Sequence, residues 1–183
     1  MTTRFLCILL MLVCLFGIVT AQTATIDFDN PTLSYSVVSK GMVTGIGCDE
    51  DNPCLIATAS RHSSGQRVGI LVTFPQVVSI QSITLDYSLD IANTSRGFRG
   101  GVWDVTIMDG SQSPFAGTVG TGLLFDGAWH TASTEDNTLF AREFWQPRAP
   151  FTGNSVLIQV RPVSTFHTGA TIRIDNIVIE YTP

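Results

Sequence analysis

The chain has 183 residues and a formal net charge of −5 at pH 7, and 44% of its residues are hydrophobic. That length normally makes one domain with a hydrophobic core of its own. Lys40 is the only lysine, and an acidic, lysine-poor surface argues against nucleic acid and anionic membranes as partners.

The first residues have the pattern of a secretory signal peptide. Arg4 is followed by an apolar run over residues 5–19, and the small residue Ala21 precedes Gln22. A basic start, a short apolar core and a small residue before the cut are the three parts of such a signal. The run is shorter than the roughly 20 apolar residues of a membrane-spanning helix. We therefore expect cleavage after Ala21 and a mature chain, residues 22–183, that has no membrane span and is extracellular, periplasmic or held at the cell surface.

The mature chain shows short β-strand patterns separated by turn residues and no helical periodicity. The first pattern alternates, with Ile26 and Phe28 on one face and Asp27 and Asp29 on the other. Further candidate strands are residues 33–38, 55–59, 68–74, 77–89, 101–108, 122–125, 138–144, 155–161 and 171–181. About ten short strands at regular intervals predict a single all-β domain, an antiparallel sandwich or barrel.

Cys48 and Cys54 are the two cysteines left once the signal peptide is removed, with five residues between them. In an oxidising compartment two cysteines at this spacing pair with each other. On the chain-entropy model, closing so short a loop stabilises the fold by about 2–2.5 kcal/mol. A disulfide that serves as a structural staple is therefore predicted, in preference to a metal site.

Residues 93–95 form an N-glycosylation sequon, Asn93-Thr94-Ser95, in a glycine-rich context. That context predicts a loop, where Asn93 is accessible for modification if the source is a eukaryote.

The segment Phe125-Asp-Gly-Ala-Trp-His130 is rich in turn residues, so Trp129 is expected to be exposed. An exposed flat aromatic ring beside side chains that make planar hydrogen bonds is a candidate ligand-binding site. Packing is the alternative role for each tryptophan, and the sequence does not choose between a sheet face and a loop end for the site. The predicted ligand-binding residues are Trp129, Trp145, Asp126, His130 and Arg99.

The last candidate strand changes its apolar parity. Ile172 and Ile174 occupy one parity, and Ile177 and Ile179 occupy the other. A strand changes its buried face only by inserting an extra residue, so a β-bulge is predicted at 175–176. A bulge changes the direction in which a side chain points, and here that side chain is the carboxylate of Asp175.

The closing segment Ala170-Thr-Ile-Arg-Ile-Asp-Asn-Ile-Val-Ile-Glu180 resembles the last strand of galactose-binding-like jelly rolls, a group that includes many carbohydrate-binding modules of secreted bacterial proteins. The opening segment Ile26-Asp-Phe-Asp-Asn30 is similar to their first strand, and residues 82–87 and the strand around Trp103 fit the same layout. The resemblance covers most of the mature chain. It implies a jelly-roll β-sandwich that binds a carbohydrate or glycoconjugate.

Members of that group commonly hold a structural calcium ion between the first and last strands. The resemblance therefore implies a Ca²⁺ site formed by Asp175 together with Asp27 or Asp29. Calcium takes about six to eight oxygen ligands, many of them backbone carbonyls, so these carboxylates would be only part of the set. The alternative is a bulge carboxylate that accepts hydrogen bonds from nearby backbone N–H groups.

No motif of a known catalytic centre occurs in the chain. The nucleophile-elbow and His-Glu-x-x-His patterns are absent, and His62, His130 and His167 lie far apart in the sequence. We therefore expect a secreted, non-catalytic protein that binds carbohydrate. Two alternatives stay open: a self-assembling structural protein of an extracellular matrix, surface layer or fibre, and a small secreted enzyme that acts on polysaccharide.

Overall fold

The computed structural model describes residues 20–48, 52–59, 66–91, 103–109, 118–121, 126–134, 151–162 and 170–183. The strands in this part of the chain are β1 (Gln22–Ile26), β2 (Ser34–Lys40), β3 (Met42–Ile46), β4 (Leu55–Ala59), β5 (Arg67–Ile91), β6 (Trp103–Asp109), β7 (Thr118–Thr121), β8 (Asp126–Ser133), β9 (Phe151–Pro162) and β10 (Ala170–Thr182). None of the described residues belongs to a helix that is long and apolar enough to span a membrane.

The strands form an antiparallel β-sandwich, as predicted. The front sheet has the order β3-β4-β10-β5-β8 and uses residues 78–91 of β5, while β1 pairs with the second half of β10. The back sheet has the order β2-β5-β9-β6-β7 and uses residues 67–73 of β5. Residues 151–153 at the start of β9 also pair with residues 78–80 of β5, so β9 follows β5 past the register shift. Strand β5 therefore belongs to both layers.

The crossing of β5 between the layers occurs at Pro75. The pairing of β5 with β9 shifts register between Thr73 and Val78. Proline has no N–H to donate to a ladder, and it is tolerated in a strand where pairing is interrupted. The two strands predicted at 68–74 and 77–89 are thus one bent strand of 25 residues.

The hydrophobic core lies between the two layers and is built from their alternate residues. Val68, Ile70 and Val72 of the back sheet and Ile172 and Ile174 of the front sheet are at most 2% exposed. Truncating one of these isoleucines to alanine would cost about 2–5 kcal/mol, because the transfer free energy is lost and a cavity remains.

The bulge predicted in the last strand is present in β10. Pairing between β10 and β5 shifts register between Asp175 and Val178. Ile174 before the bulge and Ile177 after it are both buried, so the strand keeps its apolar side chains inward across the shift. Asn176 has φ 46°, a left-handed conformation that asparagine tolerates better than most residues.

Several strand boundaries differ from the sequence-based prediction. The first strand ends at Ile26, because Phe28 has φ 62° and leaves the extended conformation. Phe28 is nevertheless buried and Asp29 exposed, as the alternation predicts. Strands β3, β7 and β8 were not predicted. All three contain a glycine and are edge strands in the described part of the chain, and β3 and β8 have largely exposed residues, so those two show no period of two. The predicted strands at 122–125 and 138–144 lie outside the described residues.

The predicted disulfide between Cys48 and Cys54 is confirmed. Their Cα atoms are 5.3 Å apart, and Cys54 is fully buried. The backbone N–H of Gly47 donates to the carbonyl of Cys54 at 2.9 Å. The bond closes the connection from β3 to β4, and Asn52 lies inside that closed loop.

Candidate functional site

The outward surface of the front sheet, here called the front face, carries its side chains in transverse rows. Residues that are directly opposite each other on neighbouring strands point to the same side of a sheet, so the strand registers identify each row. The central row is Gly45, Ile56, Arg173, Ser88 and Trp129. The row on one side is Val43, Thr58, Thr171, Asp90 and Asp126. The row on the other side is Asp175, Asp86 and Thr131.

Trp129 is the aromatic residue of these rows. It lies on β8, and 45% of its surface is exposed. The residue opposite it, Ser88, is buried, and the Ser88 hydroxyl donates to the carbonyl of Gly127 at 2.9 Å. The predicted exposure of Trp129 is correct, but the residue is part of a strand and not of a turn. A strand holds the indole more rigidly than a loop would.

Arg173 and Asp90 are front-face residues that sequence reasoning missed. Arg173 lies two strands from Trp129 in the same row, which corresponds to about 10 Å at the usual strand spacing. Asp90 lies diagonal to Trp129, a placement that separates Cβ atoms by about 7–8 Å and leaves long or aromatic side chains within reach of each other. Both residues look unremarkable in the sequence, because only the register of β5, β8 and β10 brings them beside Trp129.

Asp126 stands at the start of β8, where an irregularity in the pairing separates it from Trp129. The register of β8 on β5 shifts between Ser88 and Asp90, and Gly127 has φ 78°, a conformation that suits glycine. The Asp126 Oδ1 atom lies 2.8 Å from His130 Nε2 and accepts the Ala128 N–H at 2.9 Å. The hydrogen bond with His130, followed by that from Ala128, lowers the pKa of the Asp126 carboxyl, which therefore stays ionised.

His130 points away from the front face. It is opposite Tyr87, an inward residue that is 1% exposed, and the two rings are 5.6 Å apart. The His130 side chain is itself 23% exposed. The hydrogen bond between His130 and Asp126 fixes the orientation of the Asp126 carboxylate.

A cluster of carboxylates surrounds the bulge of β10. Asp175 is 2% exposed and lies directly opposite Asp86. Burial raises the pKa of the Asp175 carboxyl, and the nearby Asp86 and Asp27 carboxylates raise it further. The Asn176 N–H, which donates at 2.8 Å, and the Asn52 side chain lower it by hydrogen bonding, and this only partly offsets the rise.

The geometry of the sheet explains why these groups meet. Strands β1 and β4 lie end to end on the same side of β10, and the bulge faces the gap between them. Asp27 follows the last residue of β1, and Asn52 precedes β4. Asp27 Oδ1 accepts the N–H groups of Asp29 and Asn30 at 3.2 and 2.7 Å. Asp29 is exposed, and of the two aspartates predicted beside Asp175 it is Asp27 whose charge raises the pKa of Asp175.

Asp86 accepts hydrogen bonds from Thr131 of the front face and from Asn176 at the bulge. The Thr131 hydroxyl donates to Asp86 Oδ1 at 2.6 Å, and the Asn176 amide donates to Asp86 Oδ2 at 3.0 Å. Carboxylate and amide oxygens are the ligands that Ca²⁺ prefers. Within the described residues, no three His, Cys, Asp or Glu side chains are grouped closely enough to form a metal site. An ion at Asp175 would therefore need amide or backbone carbonyl oxygens as well.

A shallow groove of about 430 Å³ lies at the entry to β2. It is lined by residues 31–35, of which Tyr35 packs edge-on against Phe28 with ring centroids 5.4 Å apart. The groove holds no charged side chain in its lining.

Three predicted site residues, Arg99, Trp145 and the sequon residue Asn93, lie outside the described residues, as do residues 1–19 of the predicted signal peptide.

Neither a protein-family model nor a curated protein sequence matches this chain. Among solved structures, it is similar to the family 11 carbohydrate-binding module of the cellulosomal cellulase Lic26A-Cel5E of Clostridium thermocellum, with a TM-score of 0.47, 12% identity, and coverage of 89% of this chain and 95% of that one. It is also similar to TmCBM27, a carbohydrate-binding module described for specific mannan recognition, with a TM-score of 0.44, 15% identity, and coverage of 90% and 99%.

A cyclase from Fischerella sp. TAU aligns in the same way, with a TM-score of 0.43, 13% identity, and coverage of 89% of this chain and 85% of that one. The similar structures thus include carbohydrate-binding modules, the group that the closing strand resembles, and also a protein described as an enzyme.

Proposed function

We propose that this protein is a secreted, non-catalytic β-sandwich that binds a carbohydrate or glycoconjugate on its front face. The observation that carries the proposal is the exposed indole of Trp129, which lies in one row with Arg173 and beside the carboxylates of Asp90 and Asp126. The disulfide between β3 and β4 supports the proposed secretion, because such bonds persist in oxidising compartments.

The chemistry of the front face suits a sugar. The flat indole can stack on the C–H face of a pyranose ring, and carboxylate and guanidinium groups can each make paired hydrogen bonds to neighbouring hydroxyls. These side chains stand on strands whose backbone is fixed by ladders on one or both sides. A preformed site loses less conformational entropy on binding than a loop does.

The direct test is the binding of polysaccharides and oligosaccharides by the mature protein and by Trp129→Ala. Buried aromatic anchors commonly contribute about 2 kcal/mol or more to an interface, so the substitution should weaken binding by about 30-fold. Trp129→Phe, which keeps a flat ring, should retain part of the affinity.

Val77→Ala is the matched control. Val77 is 60% exposed and lies on β5 where the strand crosses between the sheets, so its truncation should leave binding unchanged. The proposal fails if Trp129→Ala binds every glycan as the wild type does, or if the wild type binds none.

We also propose that a structural calcium ion is held at the bulge of β10 by Asp175 and Asp27, with Asp86 close by. The support is the buried carboxyl of Asp175, whose pKa is raised by burial and by the charges of Asp86, opposite it on β5, and of Asp27, next to the gap between β1 and β4. A cation there would remove the repulsion among these groups. It would also link the first and last strands of the sandwich.

Thermal unfolding with added CaCl₂ after treatment with EDTA tests the ion. At a hundredfold excess over the dissociation constant, binding stabilises the native state by about 2.7 kcal/mol, which raises the Tm of a domain of this size by about 5–10 °C. Asp175→Asn should abolish the rise, whereas Asp29→Asn, an exposed carboxylate nearby, should retain it. A Tm that does not respond to calcium contradicts the proposal.

Self-association is the second candidate, and one observation favours it. Within the described residues β3 is an edge strand of the front sheet, and it exposes 67% of Val43 and 50% of Ile46. An unpaired strand edge with apolar side chains is a template for pairing with a second copy. Sedimentation should then show oligomers that disappear on Val43→Lys, and a wild-type protein that stays monomeric at high concentration excludes this candidate.

A further inference from the structure

We propose that the front face selects its ligand by charge and prefers a glycan that carries protonated amino groups over the same glycan with those amines acetylated. This inference rests on the proposed carbohydrate binding and specifies the substrate class of that site.

The three rows that define the front face carry a net negative charge. Arg173 is their one cationic residue, and four aspartates accompany it. Asp90 and Asp126 lie on the side of the central row away from the bulge of β10, close to Trp129. A ligand that stacks on the indole therefore meets negative charge first, and acidic sugars are disfavoured there.

Asp90 of β5 lies directly opposite Asp126 of β8. Like charges that face each other across a strand pair destabilise a sheet. Asp126 Oδ1 accepts the Ala128 N–H and lies within hydrogen-bond distance of His130 Nε2. Within the described part of the chain no hydrogen bond reaches either oxygen of Asp90, so this carboxylate can accept a cationic donor.

The exposed indole of Trp129 also favours a cationic ligand. An ammonium group is attracted to the face of a tryptophan ring, and the attraction adds to that of a neighbouring carboxylate. Trp129 has its exposed ring diagonal to Asp90. An amino sugar stacked on this ring would place its ammonium group near the Asp90 carboxylate. A neutral hydroxyl makes a weaker hydrogen bond to a carboxylate than an ammonium group does.

The test compares oligomers of glucosamine with oligomers of N-acetylglucosamine of the same length, because the two differ only in the charged amine and its acetyl group. Isothermal titration of the mature protein should show at least about fivefold tighter binding of the amine form. That preference should shrink as the ionic strength rises, since exposed charges are screened by salt.

The double variant Asp90→Asn, Asp126→Asn should remove the preference, because it should weaken the binding of the amine oligomer at least about fivefold more than that of the acetylated oligomer. Asp29→Asn, which removes one exposed charge elsewhere, should keep the preference. Equal binding of both oligomers by the wild type, or a preference that survives the double variant, overturns the charge selection and leaves the proposed function standing. If no oligosaccharide binds, whatever its charge, the proposed function fails and this inference fails with it.

Discussion

Two residues with left-handed backbone conformations adjoin the carboxylates at the bulge of β10. Phe28 follows Asp27 and has φ 62°, and Asn176 follows Asp175 and has φ 46°. For a bulky residue this conformation costs about 1–2 kcal/mol. Phe28 keeps it because its ring is buried and packs against Tyr35. Strained backbone on both sides of a carboxylate cluster agrees with the proposal that the cluster has a binding role.

The buried carboxyl of Asp175 makes stability depend on pH. Its pKa is raised above the ordinary value of 3.8, so between these two values the native state binds more protons than the unfolded state. The free energy of unfolding therefore falls as the pH rises through that window.

We accordingly expect Asp175→Asn to be more stable than the wild type at neutral pH in the presence of EDTA, because the amide carries no charge. Below the ordinary pKa of an aspartate the two proteins should be equally stable. Urea unfolding over a pH series measures both differences. A variant that is less stable than the wild type at neutral pH without calcium would show that the ionised carboxylate is stabilising.

At the scale of elements, the disulfide loop and the bulge of β10 are linked by a hydrogen bond between Asn52 and Asp175. The bond between Cys48 and Cys54 closes the loop that carries Asn52, and the Asn52 side chain hydrogen-bonds Asp175. Removing the bond would free that loop and leave the buried carboxylate with one hydrogen bond fewer.

The double variant Cys48→Ser, Cys54→Ser should lose about 2 kcal/mol of unfolding free energy through chain entropy. It should also lose most of its response to calcium, since Asn52 is no longer held beside Asp175. Chemical denaturation with and without CaCl₂ measures both effects. An unchanged calcium response with lower stability would mean that the loop is a staple and has no part in the ion site.

The sequence predicted the elements that alternate and missed those that do not. Strand β10 and its bulge could be read from the parity of its isoleucines, because one face of that strand must stay buried. Strand β8 could not be read, because an edge strand with exposed residues has no apolar period, and Gly127 resembles a turn signal. The prediction therefore placed Trp129 in a turn, although it gave its exposure correctly.

At the scale of the whole molecule, the front face is a product of long-range pairing. Trp129, Ser88 and Arg173 come from three strands that are distant in the sequence. Local patterns predict which residues form strands, but not which strands become neighbours or in what register. For this reason the sequence-based prediction named Trp129 and Asp126 but not Arg173 and Asp90, which have no local signal and lie on the same face only through strand pairing.

The same pairing places the two ends of β5 in different parts of the molecule. Residues 78–91 lie beneath the front face and the bulge of β10, while residues 67–73 belong to the back sheet. Ligand binding should therefore perturb residues 78–91 and leave residues 67–73 unchanged.

The most direct measurement is a two-dimensional NMR titration of the ¹⁵N-labelled mature protein with the oligosaccharide that binds most tightly. The account predicts that shift changes concentrate on the indole N–H of Trp129 and on the backbone amides of Ser88, Asp90 and Arg173. Amides of β2 and β9 should stay unchanged. Shift changes confined to the back sheet or to the groove at residues 31–35, with Trp129 unaffected, would contradict it.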